Sequence, residues 1–155
     1  MRNLIGHGHS SMINYFYVYF YMAKQEFDKD KLIEYWLETA NDDYGTMIAM
    51  FDSKRYNWSL FVGHLMIEKY LKAYYVIANN NFPPYIHNLL QLAEKSNLNV
   101  NEDQKIFLAT VTAFNINARY DDYKMSFQKK CTPEYTSYWV EQLKEFRKWI
   151  MELIK

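Results

Sequence analysis

The sequence is poor in the residues that break or staple a chain. Its 155 residues include four glycines, three prolines and one cysteine. With Cys131 alone, an intrachain disulfide and a Cys-based zinc site are both excluded. A single thiol fits a reducing, cytoplasmic setting. So little glycine and proline argues against many short strands joined by tight turns, and favours long helices. Charge of one sign is also lacking: 18 basic and 18 acidic side chains leave a formal net charge of zero. An indiscriminate polyanion binder carries a basic excess, so general nucleic-acid binding is not favoured, though there is room for a local basic patch. The length predicts one domain able to bury its own core.

Long hydrophobic runs are scarce as well. The nearest to one is "INYFYVYFYMA" at residues 13–23. A spanning helix needs about 20 apolar residues, and this stretch is shorter and rich in tyrosine. It also lacks the basic start and small-residue cleavage site of a signal peptide. No membrane association is expected. The alternation of tyrosine with Phe16, Val18 and Phe20 is strand-like. The pattern changes after it, and "MAKQEF" at Met22 reads as a natural domain start. Residues 1–21 are therefore read as an irregular or strand-like extension, outside a domain spanning 22–155.

What remains is helical. Ile33, Trp36, Leu37, Ala40, Tyr44, Met47, Ile48 and Phe51 recur at helical spacing and predict an acidic helix over 29–52. Its carboxylates read as a solvated face. Asp42 and Asp43 are adjacent and diverge by about 100° on a helix, so no metal site is expected there. After the turn "SKRY", a second helix is predicted over 56–79, with a seam through Leu60, His64, Ile67, Leu71, Tyr74 and Ala78 and a second strip through Val62, Met66, Tyr70, Ala73 and Ile77. A helix apolar on that much of its surface belongs at the centre of a bundle. "NNNFPPY" ends it. A short helix follows at about 86–96, and a fourth at 102–118, capped by Asn101 with Gln104 at the box position. Residues 119–131 read as a polar connection. Thr132 and Pro133 then open a last helix whose face runs Tyr135, Trp139, Gln142, Phe146, Trp149 and Leu153. The expected fold is all-α, an up-and-down bundle of four to five helices.

Three segments of this bundle resemble the HEPN family. "FVGHLMIEKYLKAYYV" carries Glu68, Lys69, Leu71, Lys72 and Ala73 in the order of the family's second-helix signature. "PPYIHNLL" supplies His87, Asn88 and Leu89 where the family starts its third helix, and "NARYDDY" supplies Ala118, Arg119, Tyr120 and Asp122 further on. The resemblance implies a dimeric helical module, often found beside a minimal nucleotidyltransferase in toxin–antitoxin pairs, and in one large subset a metal-independent endoribonuclease. That subset places an arginine, four to six residues and a histidine near the last long helix. Here Arg119 is followed by no histidine up to Lys155, and His87 is the last histidine of the sequence. No near-neutral proton shuttle is present there.

The same spacing does occur in "MRNLIGHGHS", between Arg2 and His7 and again between Arg2 and His9. It lies before the bundle rather than beside its last helix, and reads as coincidence or relic. The candidate binding residues are Arg119, Asp122, Glu68, Lys72, His64 and His87. Each also has a bland role: His64 as a core histidine, His87 as a loop brace, Glu68 and Lys72 as a helix-surface pair or part of a polar cluster with Arg119, and Arg119 with Asp122 as a clamp on the connection. Lys129 and Lys130 beside Cys131 favour its thiolate, but no partner base accompanies it. The favoured reading is a HEPN-like homodimeric binding module, partnered by a nucleotidyltransferase or nucleotide-related protein, with nucleotide or RNA as a ligand and no metal or cofactor. An endoribonuclease is the alternative, and a helical interaction domain without a ligand is a third.

Overall fold

The structure, a computed structural model, describes residues 27–155. Among these residues there are six helices: α1 (Lys29–Asp52), α2 (Tyr56–Asn79), α3 (Leu89–Lys95), α4 (Glu102–Arg119), α5 (Asp121–Lys130) and α6 (Pro133–Ile154). The long helices α1, α2, α4 and α6 make the bundle, and the short α3 and α5 bridge between them. The Tyr-rich stretch, Arg2, His7 and the proposed boundary near residue 22 lie outside the described residues.

Local signals set the ends. Asp28 caps α1 by accepting from Lys31 N, and Asn88 caps α3 by accepting from Gln91 N. Asn101 and Gln104 form the reciprocal capping box at α4, and Thr132 with Pro133 opens α6. Between α1 and α2 the turn is only three residues long, with Lys54 at φ 60°. Asn80, at φ 49°, ends α2 in the left-handed region that asparagine tolerates.

α2 is the hub, in contact with every other helix of the bundle. Leu60, His64, Ile67 and Leu71 of its seam are fully buried, as are Met66, Tyr70 and Ala73 of the second strip. Tyr74 and Ala78 lie nearer the surface. A side chain at Gly63 would meet Leu143 Cδ1 of α6 at 2.5 Å, so the missing Cβ lets α2 and α6 approach. Hydrogen bonds also tie the bundle: Arg147 of α6 donates from Nε to Tyr70 Oη at 2.9 Å and from Nη2 to Asn41 Oδ1 at 3.0 Å, with its guanidinium 4.2 Å from the Tyr44 ring centroid.

Three expectations are corrected. The connection at 119–131 is largely helix, as α5, anchored by the buried Phe127 against Phe114 with ring centroids 5.6 Å apart. On α6 the buried stripe is Thr136, Val140, Leu143, Phe146 and Ile150. Of the expected face Phe146 lies on this stripe, while Tyr135, Trp139 and Trp149 pack along its edges. The acidic face of α1 is not wholly solvated either, because Asp43 reaches Lys69 of α2 at 2.6 Å. Burial pushes the Asp43 carboxyl up, against the opposing pull of Lys69.

Candidate functional site

Four of the six candidate binding residues meet at one place. His64, Glu68 and Lys72 are spaced four apart, so they stack along one face of α2. That face turns inward: His64 and Lys72 are fully buried and Glu68 is 1% exposed. Glu68 Oε1 accepts from Lys72 Nζ at 2.7 Å. Its Oε2 accepts from His64 Nε2 at 3.2 Å and from His87 Nδ1 at 3.0 Å. The proline-bearing segment after α2 carries His87 back to this point, and Asn88 then caps α3. His64 Nδ1 also faces the Val111 carbonyl of α4 at 3.2 Å. The Lys72 ammonium lies 4.9 Å from the centroid of the Trp36 ring on α1.

A buried carboxylate is costly unless it is paired and hydrogen-bonded. Burial alone would raise the Glu68 pKa. The hydrogen bonds from His64 and His87, with the charge of Lys72, outweigh that and hold the carboxyl well below the ordinary range. A general base for neutral pH needs the opposite shift. Glu68 is therefore built as a permanent anion that gathers α2, α4 and the segment before α3. Such a cluster ties three parts of the bundle together.

Arg119 and Asp122 stand apart from it. Arg119 is exposed at the C-terminal end of α4, eight residues past Val111, or about 12 Å along the helix axis. Its Nε donates to Asn115 O at 3.1 Å and its guanidinium lies 5.7 Å from the Tyr120 ring centroid. Among the described residues no ion pair joins it to Asp122, which is exposed in the first turn of α5. The expected Arg119–Asp122 clamp is absent, and so is the expected polar cluster of Arg119 with Glu68 and Lys72. Glu68 and Lys72 are not a surface pair either. They pair with each other in the interior, and the two histidines join them through Glu68.

A scan against family models matches the HEPN domain over residues 33–154. The chain belongs to the HEPN family. Neither the search of curated proteins nor that of solved structures returns a match. Membership gives a coarse functional class, a nucleotide- or RNA-related helical module.

In this HEPN bundle the remaining candidates are quickly placed. Arg2 and His7 lie outside the described residues. Cys131 is buried, and burial pushes its thiol up to about 11 in spite of the Lys130 charge, the reverse of the activation that its basic neighbours suggest. Among the described residues no helix is long and apolar enough to cross a membrane, and no group of three or more His, Cys, Asp or Glu side chains is arranged to hold a metal ion. Sequence reasoning missed the Arg147–Tyr70–Asn41 network and the Asp43–Lys69 pair. Both join residues on different helices, and neither has a local spacing signal.

Proposed function

We propose that this HEPN chain is a binding module rather than an RNA-cutting enzyme. It works as a homodimer and pairs with a minimal nucleotidyltransferase or another nucleotide-related protein. One observation carries the reading: the histidines of the bundle, His64 and His87, are committed to the buried Glu68, while Arg119 stands exposed with no histidine after it. The ionisable groups that metal-free RNA cleavage needs side by side are thus kept in different places. Arg119 and Asp122, with the exposed rings of Tyr120 and Tyr123, form the surface that meets the partner.

Co-expression with the product of the neighbouring gene tests this. The expected result is a chain that elutes at twice its 18.8 kDa mass when purified alone and that co-purifies with a nucleotidyltransferase when the two are expressed together. Arg119→Glu should release the partner and leave the helical signal intact. A monomer that binds nothing, under conditions where it is folded, overturns the reading.

A further inference from the structure

α6 carries two apolar stripes, and the bundle fully buries only one. The seam of Thr136, Val140, Leu143, Phe146 and Ile150 is inside. The second stripe is the face that the sequence singles out: Tyr135, Trp139, Gln142, Phe146, Trp149 and Leu153, spaced 4-3-4-3-4. Phe146 belongs to both. Tyr135, Trp139, Gln142 and Trp149 are half-buried, and Leu153 is 44% exposed.

α4 forms the other side of this face. Phe107 stacks on Phe146 with ring centroids 4.8 Å apart, and Phe114 meets Trp139 edge-on at 5.4 Å, so the two helices run antiparallel with rings between them. Beyond the rings, Ile106 of α4 is 64% exposed. Tyr138 of α6, edge-on to Trp139 at 5.4 Å, is 58% exposed. A continuous apolar surface of this kind marks an interaction site, and large aromatic side chains are the usual anchors of one.

The pattern of the stripe says what covers it. Its spacing is that of a two-helix seam. It also reads the same way in both directions about Gln142. Reversed, it sets Tyr135 opposite Trp149, Trp139 opposite Phe146 and Gln142 opposite itself. An amide both donates and accepts, so two copies of Gln142 satisfy each other, and one polar residue in such a seam fixes its register. The charges agree. Glu102 and Asp103, with Lys105, open α4 and so stand at the end of the face where α6 finishes. Lys129 and Lys130, with Glu134, stand at the end where α6 starts, with Lys130 Nζ 5.2 Å from the Tyr135 ring centroid. One end has an acidic excess and the other a basic excess. A reversed copy brings unlike ends together, and a parallel copy brings like ends together.

We propose that this face binds a second copy of the chain, α6 against α6 and antiparallel, about a two-fold axis at Gln142. The proposal rests on the homodimer reading and supplies the face and the direction that the reading leaves open.

Sedimentation equilibrium on the full chain tests the face. Ile106→Glu and Tyr138→Glu should each raise the dissociation constant of the dimer at least tenfold. Both side chains are exposed in the single chain, so the helical signal should stay unchanged. Lys130→Glu and Asp103→Lys should each raise it several-fold. Oxidative cross-linking tests the direction, with buried Cys131 making the parent chain the blank. Gln142→Cys should cross-link with its own copy. Leu153→Cys should not, because antiparallel pairing holds its two copies about 30 Å apart. A dimer whose constant none of the four charge variants changes overturns the face and leaves the homodimer reading standing. A parent chain that is monomeric overturns both. Self-cross-linking of Leu153→Cys, or none by Gln142→Cys in a dimer, overturns the antiparallel arrangement.

Discussion

At the scale of single residues, Glu68 decides most. Removing it would leave Lys72 charged, fully buried and without its carboxylate. Breaking a buried pair in this way costs about 3–5 kcal/mol. Glu68→Ala should therefore lower stability by that amount in urea melts. The double variant Glu68→Leu/Lys72→Met should cost clearly less, because both charges leave together. The pH dependence has a definite sign. The folded pKa of Glu68 lies below its ordinary value of 4.5. The stabilisation is thus present above pH 4.5 and is lost as the pH falls towards the folded value. Melts at pH 7, 5 and 3 should show this loss in the parent chain and a flatter profile in Glu68→Gln. Cys131 gives a second residue-scale prediction. With its thiol pushed up to about 11 by burial, alkylation at pH 8 should be slow in the native protein and rise sharply in urea. In both cases the local sequence is a partial guide. The spacing of His64, Glu68 and Lys72 puts them on one face, but only the return of the chain through His87 shows that the face is buried. The lysines beside Cys131 point to activation, and burial reverses it.

At the scale of elements, the long helices are legible and the short or polar ones are not. The limits of α1 and α2 follow directly from apolar periodicity and the turns that end it. α5 is hidden because its sequence, "DDYKMSFQKK", buries essentially one ring, Phe127. No periodicity arises from a single anchor. Phe127→Ala should consequently speed amide exchange across Asp121–Lys130 and leave the middle of α2 protected. The seam of α6 runs through Leu143, whose side chain fills the space that a Cβ at Gly63 would take. Gly63→Ala should lower the melting temperature even though alanine is the better helix former. Overpacking of this kind costs about 1–3 kcal/mol. Pairing it with Leu143→Ala should recover part of the clash, a non-additivity that a double-mutant cycle would read.

At the scale of the whole molecule, the sequence points to the all-α class and the family, while the sites depend on tertiary contacts. His87 reaches Glu68 from nineteen positions away, and Lys124 of α5 comes within 5.9 Å of the Trp58 ring centroid of α2. A neutral total charge conceals a cleft with three cations, since acidic residues elsewhere cancel it in the sum. The same separation of groups underlies the functional reading. His64, Glu68 and Lys72 are buried together with His87 closing over them, Arg119 is exposed at the end of α4, and a cleft lined by three cations lies at the turn between α1 and α2. The proposed binding module rests on that division. The most direct measurement is incubation of the purified full chain with single-stranded and structured RNA in the presence of a chelator. The account predicts RNA that stays intact. Cleavage that disappears in Arg119→Ala or His7→Ala would contradict it.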